Sequence, residues 1–357
     1  MTSISYETGN LLVADVDALV NTVNTRGIMG KGVALQFKQA FPANYQEYRR
    51  ACQKSEVRLG HMFVVKTGRL RPRLIINFPT KNHWRSRSRI ADIDRGLVDL
   101  RSVIAAHGVE SIAIPALGCG NGGLAWSDVR PLIEKHLGDL QDVRVMVFPP
   151  SHAPAANEMP VGTRVPRMTP GRAALVGLLD RYIGPGLGVT PLEIQKLMYF
   201  LQTAGEPLRL RYVRAKYGPY AENLNHVLQA VEGHFLRGYG DRSQRVHDAE
   251  PIELMPGAVD HAQTLLADHP ATRERFDRVA KLVEGFESPY GLELLATTHW
   301  VAMEDDKARN DPHAAEQLVR AWSPRKANLF TPRHIHLAWL RLESLGWLRA
   351  PTAAAPG

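Results

Sequence analysis

The stretch that decides the fold is Asn21-Thr22-Val23-Asn24-Thr25-Arg26-Gly27-Ile28-Met29-Gly30-Lys31-Gly32-Val33-Ala34. An apolar run, Ala18–Asn24, enters it and reads as a buried strand. Residues 31–40 leave it as a helix with Val33, Ala34, Phe37 and Ala40 on one face, and Pro42 is its stop signal. Between them Gly27, Gly30 and Gly32 are more glycines than a turn requires. Without Cβ atoms they let a backbone approach a ligand closely. The helix that follows offers free N–H groups and a positive dipole end, which suit an anion. Lys31 is followed by Gly32 and not by the Ser or Thr of a P-loop, and the spacing does not fit the dinucleotide fingerprint.

Working outward, the same alternation repeats. Strands are predicted over 61–67, 73–78, 111–117 and 143–148, and helices over 92–107 and 127–136. This pattern predicts an α/β layer fold with a mainly parallel sheet. A second glycine loop, Pro115-Ala116-Leu117-Gly118-Cys119-Gly120-Asn121-Gly122-Gly123-Leu124, also joins a strand to a helix. Two such loops at equivalent ends of neighbouring strands suggest a diphosphate held from both sides.

Composition narrows the class. The 357 residues exceed one ordinary core, so two domains are expected. No apolar run is long enough to cross a membrane, residues 1–10 lack the pattern of a signal peptide, and Cys52 and Cys119 make no disulfide framework. These point to the cytoplasm and to no membrane partner. The net charge of +8 is uneven: residues 1–150 carry 20 Lys+Arg against 13 Asp+Glu, a net of +7. From 57 to 91 there is no acidic residue, while Arg58, Lys66, Arg69, Arg71, Arg73, Lys81, Arg85, Arg87 and Arg89 are present. A stretch so free of carboxylates favours a polyanionic partner. His83, Trp84, Arg85, Arg87 and Arg89 interleave rings and guanidinium groups in a way that suits stacking and phosphate contact on a single strand.

Four stretches together resemble a macrodomain over about residues 1–150. They are Thr8-Gly9-Asn10-Leu11-Leu12, Asp17-Ala18-Leu19-Val20-Asn21-Thr22-Val23-Asn24, Gly30-Lys31-Gly32-Val33-Ala34, and Ile114-Pro115-Ala116-Leu117-Gly118-Cys119-Gly120. The resemblance implies an α/β/α sandwich with a mixed, mainly parallel sheet that binds ADP-ribose. Asn10 and Leu11 would meet the adenine, although many macrodomains carry aspartate at Asn10 and an amide brings no charge. Asn21 and Asn24 would orient the distal ribose. Gly30, Lys31, Gly32 and Val33 of the first loop, with Leu117, Gly118, Cys119, Gly120, Asn121 and Gly122 of the second, would wrap the diphosphate and distal ribose.

Phe78-Pro79-Thr80-Lys81-Asn82-His83-Trp84-Arg85 resembles the macrodomain branch that holds the human terminal ADP-ribose hydrolase and bacterial DNA ADP-ribosyl glycohydrolase antitoxins. In that branch a lysine at the place of Lys81 acts on the anomeric carbon. The human enzyme has an aspartate at the position of Gly122, so a mechanism through that carboxylate does not carry over. A neutral amine can attack an anomeric carbon or condense with an opened sugar. Lysine is almost fully protonated at pH 7, so burial or the nearby Arg85 and Arg87 would have to lower its pKa. A charged Lys81 could instead stabilise the leaving group. Cys119 has no helper histidine in the local sequence and reads as a small hydrophobe between glycines.

Residues 149–170 hold six prolines and read as a semi-rigid linker, taken as 151–170 between domains at 1–150 and 171–350. The second domain is predicted to be mostly α-helical. Thr190-Pro191-Leu192-Glu193 is a helix start with a capping box, followed by Ile194, Leu197, Met198 and Leu201 at helical spacing. Thr331-Pro332 opens another helix bearing Ile335, Ala338, Leu342 and Leu345. The tail over 351–357 is expected to be disordered. Residues 194–201 and Lys216-Tyr217-Gly218-Pro219-Tyr220 weakly resemble the Panacea antitoxin domain. That implies a module that grips its toxin, a DNA ADP-ribosyltransferase. Of 14 histidines only His334 and His336 are closely spaced, on different faces of a helix, so neither a metal nor a cofactor is expected. The reading is an antitoxin hydrolase that removes ADP-ribose from a base, thymine by resemblance, in ADP-ribosylated single-stranded DNA. A module that binds ADP-ribose without cleaving it, and a hydrolase acting on ADP-ribosylated protein, are the alternatives.

Overall fold

The computed structural model describes residues 4–151, 154–182, 189–240 and 251–349. They fall into two compact units: one ends at Arg164 and takes in Gly240, and the other begins at Val165. The tail over 351–357 lies outside the described residues.

The first unit is a six-stranded sheet. Its strands are β1 (Ile4–Tyr6), β2 (Ala18–Asn24), β3 (Phe63–Lys66), β4 (Leu74–Lys81), β5 (Ser111–Pro115) and β6 (Arg144–Phe148). They lie in the order β1-β6-β5-β2-β4-β3, all parallel except β3, which runs antiparallel to β4. The helices are α1 (Gly32–Ala40), α2 (Pro42–Gln53), α3 (Ile90–Ala106) and α4 (Trp126–Leu137). Alternation along the strands explains the three layers. Ala18, Val20, Ile76, Phe78, Ile112 and Ile114 pack against Ile93, Leu97 and Leu100 of α3 and Val129 and Ile133 of α4. The intervening Leu19, Ile75 and Ala113 pack against Phe37 and Ala40 of α1. Both faces are covered, so Ala18, Leu19 and Val20 follow one another at the start of β2 as apolar residues, with no polar residue alternating between them. Gly96 in α3 has a packing reason: a Cβ there would lie 2.3 Å from the Phe78 ring.

The expected elements are present, with three differences that matter. Pro42 ends α1 but also opens α2, where proline at the first position loses no hydrogen bond. In α1 the buried set is Leu35, Phe37 and Ala40 with Gln36 and Gln39, while Val33 is half-buried. The strand predicted over 73–78 runs on to Lys81, so this lysine is the last strand residue and not the first of the loop. The Pro-rich stretch begins with residues bonded to this unit. Gly162 N–H donates to the Gln39 carbonyl at 2.8 Å, and a Cβ on Gly162 would lie 2.3 Å from the Ala40 carbonyl oxygen.

The second unit is mostly helical. It contains α5 (Pro170–Tyr182), α6 (Pro191–Thr203), a hairpin of β7 (Tyr212–Ala215) and β8 (Gly218–Ala221), α7 (Leu224–Val231), and a short antiparallel pair, β9 (Leu236–Arg237) and β10 (Glu253–Leu254). Helices α8 (Ala258–Ala267), α9 (Pro270–Val283), α10 (Pro289–Glu304), α11 (Asp306–Asn310), α12 (Pro312–Ala321), α13 (Pro324–Leu329) and α14 (Pro332–Ser344) follow. The capping box at Thr190 and Glu193 is formed. Ile194, Leu197, Met198 and Leu201 are buried, as are Ile335, Ala338 and Leu342. Among the described residues no helix is long and apolar enough to cross a membrane.

Candidate active site

The two glycine loops leave the C-terminal ends of β2 and β5, which are neighbours in the sheet. They meet: a Cβ on Gly32, whose φ is +61°, would lie 3.1 Å from Asn121 Nδ2. Lys81 ends β4, on the other side of β2 from β5. Its side chain therefore reaches across the end of β2, and its Nζ donates to the Asn121 carbonyl at 2.7 Å. The amine thus sits where both loops converge.

The backbone under Lys81 is shaped by a bulge. Val23 pairs with Pro79 and Asn24 with Lys81, which leaves Thr80 as an extra residue. Pro79 has no N–H to give to the ladder, and proline inside a sheet marks such irregularities. Thr25 then fixes the strand end: its N–H donates to the Lys81 carbonyl at 3.2 Å and its Oγ1 to the Asn82 carbonyl at 2.9 Å. Lys81 is half-buried, and burial lowers its pKa below the ordinary lysine value. Of the two causes expected, burial accounts for the depression, and Arg85 and Arg87 are not among its sources.

Most of the asparagines build the site and do not line it. Asn24 Nδ2 donates to the Ile28 carbonyl at 2.6 Å, its Oδ1 accepts from Arg26 N–H at 2.8 Å, and its carbonyl accepts from Tyr48. Asn21 is fully buried; its Nδ2 donates to Asn77 Oδ1 at 3.0 Å, and Asn77 Nδ2 donates to Asn44 Oδ1 at 2.7 Å. Asn24 is thus committed to the first loop, so a direct ribose contact would need its amide to change partners, whereas Asn21, enclosed as it is, keeps a buried Oδ1 that has no hydrogen-bond partner. Asn10 Oδ1 accepts from Leu12 N–H at 2.9 Å, and its Nδ2 donates to the Glu158 carbonyl at 2.7 Å. The Pro-rich segment therefore lies against the residue expected to read the adenine. Leu11 beside it is buried, Lys31 is exposed, and a Cβ on Gly30 would meet nothing nearer than the Ile28 side chain at 3.8 Å.

In the second loop Gly118, at φ +71°, and Gly122 are packing glycines. A Cβ on Gly122 would lie 2.3 Å from both the Gly118 carbonyl oxygen and Ser88 Oγ. No side chain fits there, so the carboxylate found in the human branch member has no room in this loop. Gly120 has nothing within 4 Å and faces open space. Leu117 is buried. Burial, aided by Asp128, pushes the Cys119 thiol up to about 11, which favours the neutral thiol over the reactive thiolate. Ser88 escaped the sequence reading. It is buried, its N–H donates to the Gly122 carbonyl at 3.0 Å, and it ties the basic segment to the second loop.

That segment runs outward from Lys81. Trp84 is 41% exposed, which excludes a core role for it. His83 stacks on it at 5.2 Å between centroids and the Arg85 guanidinium lies 4.3 Å from its centroid. Arg87 and Arg89 are exposed, and among the described residues neither they nor Arg85 pair with a carboxylate. Arg71 and Arg73 are different: the first pairs with Asp15 at 2.9 Å, and the second donates to the carbonyls of His107 and Gly108. A groove of about 300 Å³ touching Arg71, Leu12, Phe41 and Val161 lies at the opposite end of the strands, about 20 Å from Lys81 by strand length.

Residues 20–133 match the Macro domain family. A DNA ADP-ribosyl glycohydrolase of Thermus aquaticus is 49% identical over 348 residues, covering 97% of this chain and 94% of the relative. The DNA ADP-ribosyl glycohydrolase of Mycobacterium tuberculosis is 44% identical over 352 residues, covering 95% and 99%. A DNA ADP-ribosyl transferase-DNA ADP-ribosyl glycohydrolase fusion protein of Thermosipho africanus is 33% identical over 164 residues, 42% of each chain. With identity at that level along nearly the whole of two relatives, the chain belongs to the DNA ADP-ribosyl glycohydrolase family, hydrolases built on a macrodomain.

Proposed function

We propose that the α/β unit removes ADP-ribose from a base in single-stranded DNA, thymine by resemblance, and that the helical unit binds the DNA ADP-ribosyltransferase that attaches it. The observation that carries the first half is the Lys81 amine, partly desolvated and held at the junction of two glycine loops. The loops suit the diphosphate. Neutral Lys81 attacks the anomeric carbon as the carbon–nitrogen bond to the base breaks; the base leaves with that electron pair and takes up a proton. Water then releases ADP-ribose from the lysine adduct and returns the free amine. The stack of His83, Trp84 and Arg85, with Arg87 and Arg89 beyond it, begins two residues from Lys81 and suits a strand whose modified base points into the site. The second half rests on the fusion relative, in which a transferase and a glycohydrolase share one chain. It also rests on the helical unit's having a core of its own. We place the boundary between the two activities at Arg164, because Gly162 is bonded to the α/β unit.

The test is incubation with ADP-ribosylated single-stranded DNA and mass analysis of the released product. Wild type should release ADP-ribose, and Lys81→Ala should release none while retaining ADP-ribose binding by calorimetry. Equal turnover by both would refute the role of Lys81. Binding without turnover by wild type would leave a reader of ADP-ribose in place of a hydrolase.

A further inference from the structure

The spacing of histidines along the chain excluded a metal, but folding gathers residues that spacing keeps apart. His334 and His336 do point to different faces: His334 Nδ1 lies 2.7 Å from the Tyr290 hydroxyl. His336, on α14, turns toward α12, where His313 and Glu316 lie three residues apart on one face. The ligand atoms of His313, Glu316 and His336 all lie within 4.8 Å of one another. We propose that these three side chains form a binding site for a borderline divalent transition metal, Zn²⁺ above all.

The chemistry of the set argues for this ion. Two imidazoles and one carboxylate form a recurrent zinc donor set, whereas Mg²⁺ and Ca²⁺ take oxygen ligands. Zinc–nitrogen and zinc–oxygen bonds of about 2.0–2.2 Å in a tetrahedron put ligand atoms roughly 3.5 Å apart. His336 Nε2 and Glu316 Oε2 are already 3.0 Å apart, and the two imidazole rings stand at 90° with centroids 4.6 Å apart. Closing the triad needs a movement of roughly 1 Å, and the exposed His313 ring is the part free to make it. A second observation points to a missing ligand. His336 Nε2 is buried and makes no hydrogen bond, although the Glu316 carboxylate oxygen lies 3.0 Å from it. A buried nitrogen left without a partner costs free energy unless something accepts its lone pair or proton. The framework is preorganised: Asp311 Oδ1 caps α12 by accepting from His313 N–H at 2.9 Å, and Ala315, Val319, Ile335 and Ala338 are fully buried beside the triad. Three protein ligands leave a fourth position for water, so the ion would clip α12 to α14 and remain exchangeable.

The full chain, stripped with chelator and dialysed, is titrated with Zn²⁺ alone and followed by calorimetry and thermal unfolding. One saturable equivalent is expected above the weak background of the other histidines. Zinc at about a hundred times Kd should raise Tm on the order of 5–10 °C. His313→Gln and His336→Gln should each weaken the first equivalent at least tenfold and abolish the shift. His313 is exposed, so its variant keeps the fold, and its result decides the matter if His336→Gln fails to fold. Absence of a saturable equivalent, or wild-type affinity in His313→Gln, would overturn the proposal.

Discussion

Gly122→Ala adds one methyl group at the tightest point of the candidate site. Its Cβ would lie 2.3 Å from the Gly118 carbonyl oxygen, 2.3 Å from Ser88 Oγ and 2.9 Å from the Gly118 carbonyl carbon. Ordinary contact requires about 1 Å more. Neither neighbour yields easily. The Gly118 carbonyl accepts from Leu124 N–H at 3.1 Å, and Ser88 is buried with its N–H on the Gly122 carbonyl. The loop must therefore move, and Asn121, which holds the Lys81 amine, moves with it. Overpacking of this kind costs about 1–3 kcal/mol, a fall in Tm of roughly 2–12 °C for a unit of this size. Displacing a reacting group by about 1 Å costs on the order of 100-fold in rate. Release of ADP-ribose from modified DNA and thermal unfolding measure the two effects. Gly122→Asp should fare worse, because the added carboxylate has no room. A Gly122→Ala protein with wild-type Tm and turnover would refute the packing argument and the placement of Lys81 with it.

The pH profile tests what the lysine does. Only the neutral amine attacks carbon, and its fraction grows as pH rises through the Lys81 pKa. Burial lowers that pKa, so kcat/KM should climb with pH at values below the ordinary lysine range; a profile that falls instead would assign Lys81 as a proton donor or charge stabiliser. Affinity for modified single-stranded DNA should drop steeply with salt, and that for free ADP-ribose much less. Arg85→Ser, Arg87→Ser and Arg89→Ser together should flatten the DNA slope by up to about 2, at roughly 0.7 per phosphate contact; equal slopes for both ligands would remove DNA as the carrier. A cut between Arg164 and Val165 should leave release of ADP-ribose with the first piece and co-purification with the transferase with the second. Protection carried by the first piece alone would end the toxin-binding reading.

Much of the α/β unit was legible because its signals are local. Apolar runs fix β2 and β5, and clustered glycines mark the loops that follow them. The position of Lys81 was legible too, but its aim was not. The aim depends on the bulge at Pro79 and Thr80, on Thr25, and on the strand order that puts β4 and β5 on either side of β2. The three residues of β1 carry too little pattern to be recognised, and a proline that can both stop one helix and start the next hides α2. Asn21 and Asn24 look like ligand contacts in the sequence because an amide's partners are not written there. Folding supplies them from Asn77, Ile28 and Arg26. Ser88 carried no signal, since its importance is a distance to residues 30 and 34 positions away.

The second unit shows the same limit from the other side. The two stretches that carried the antitoxin-domain resemblance, residues 194–201 and Lys216–Tyr220, look like separate motifs in the chain. In the fold they are one construction. Gln195 Nε2 donates to the Ala221 carbonyl at 3.1 Å and its Oε1 accepts from Ala221 N–H at 2.9 Å, so α6 completes the edge of the β7–β8 hairpin. Lys196 Nζ donates to the Pro219 carbonyl at 2.7 Å. Gly218, at φ +88°, brings the turn so close that a Cβ there would lie 3.0 Å from Thr297 Oγ1. Burial pushes Lys196 down to about 7, against the opposing pull of Glu293, and the Pro219 carbonyl gives its buried amine a hydrogen-bond partner. Nearby, Lys326 is fully buried and meets Glu293 at 2.6 Å and Thr297 at 2.9 Å, and Arg325 holds the same carboxylate. These residues make the module's architecture. Gln195, Lys196, Glu293 and Lys326 are buried and have no surface to offer a partner, so replacing them would test folding. If the helical unit binds a transferase as proposed, the contacts have to come from exposed side chains, such as Leu337 and Leu340 on α14 or Val213 on β7, whose identities a folding motif does not constrain.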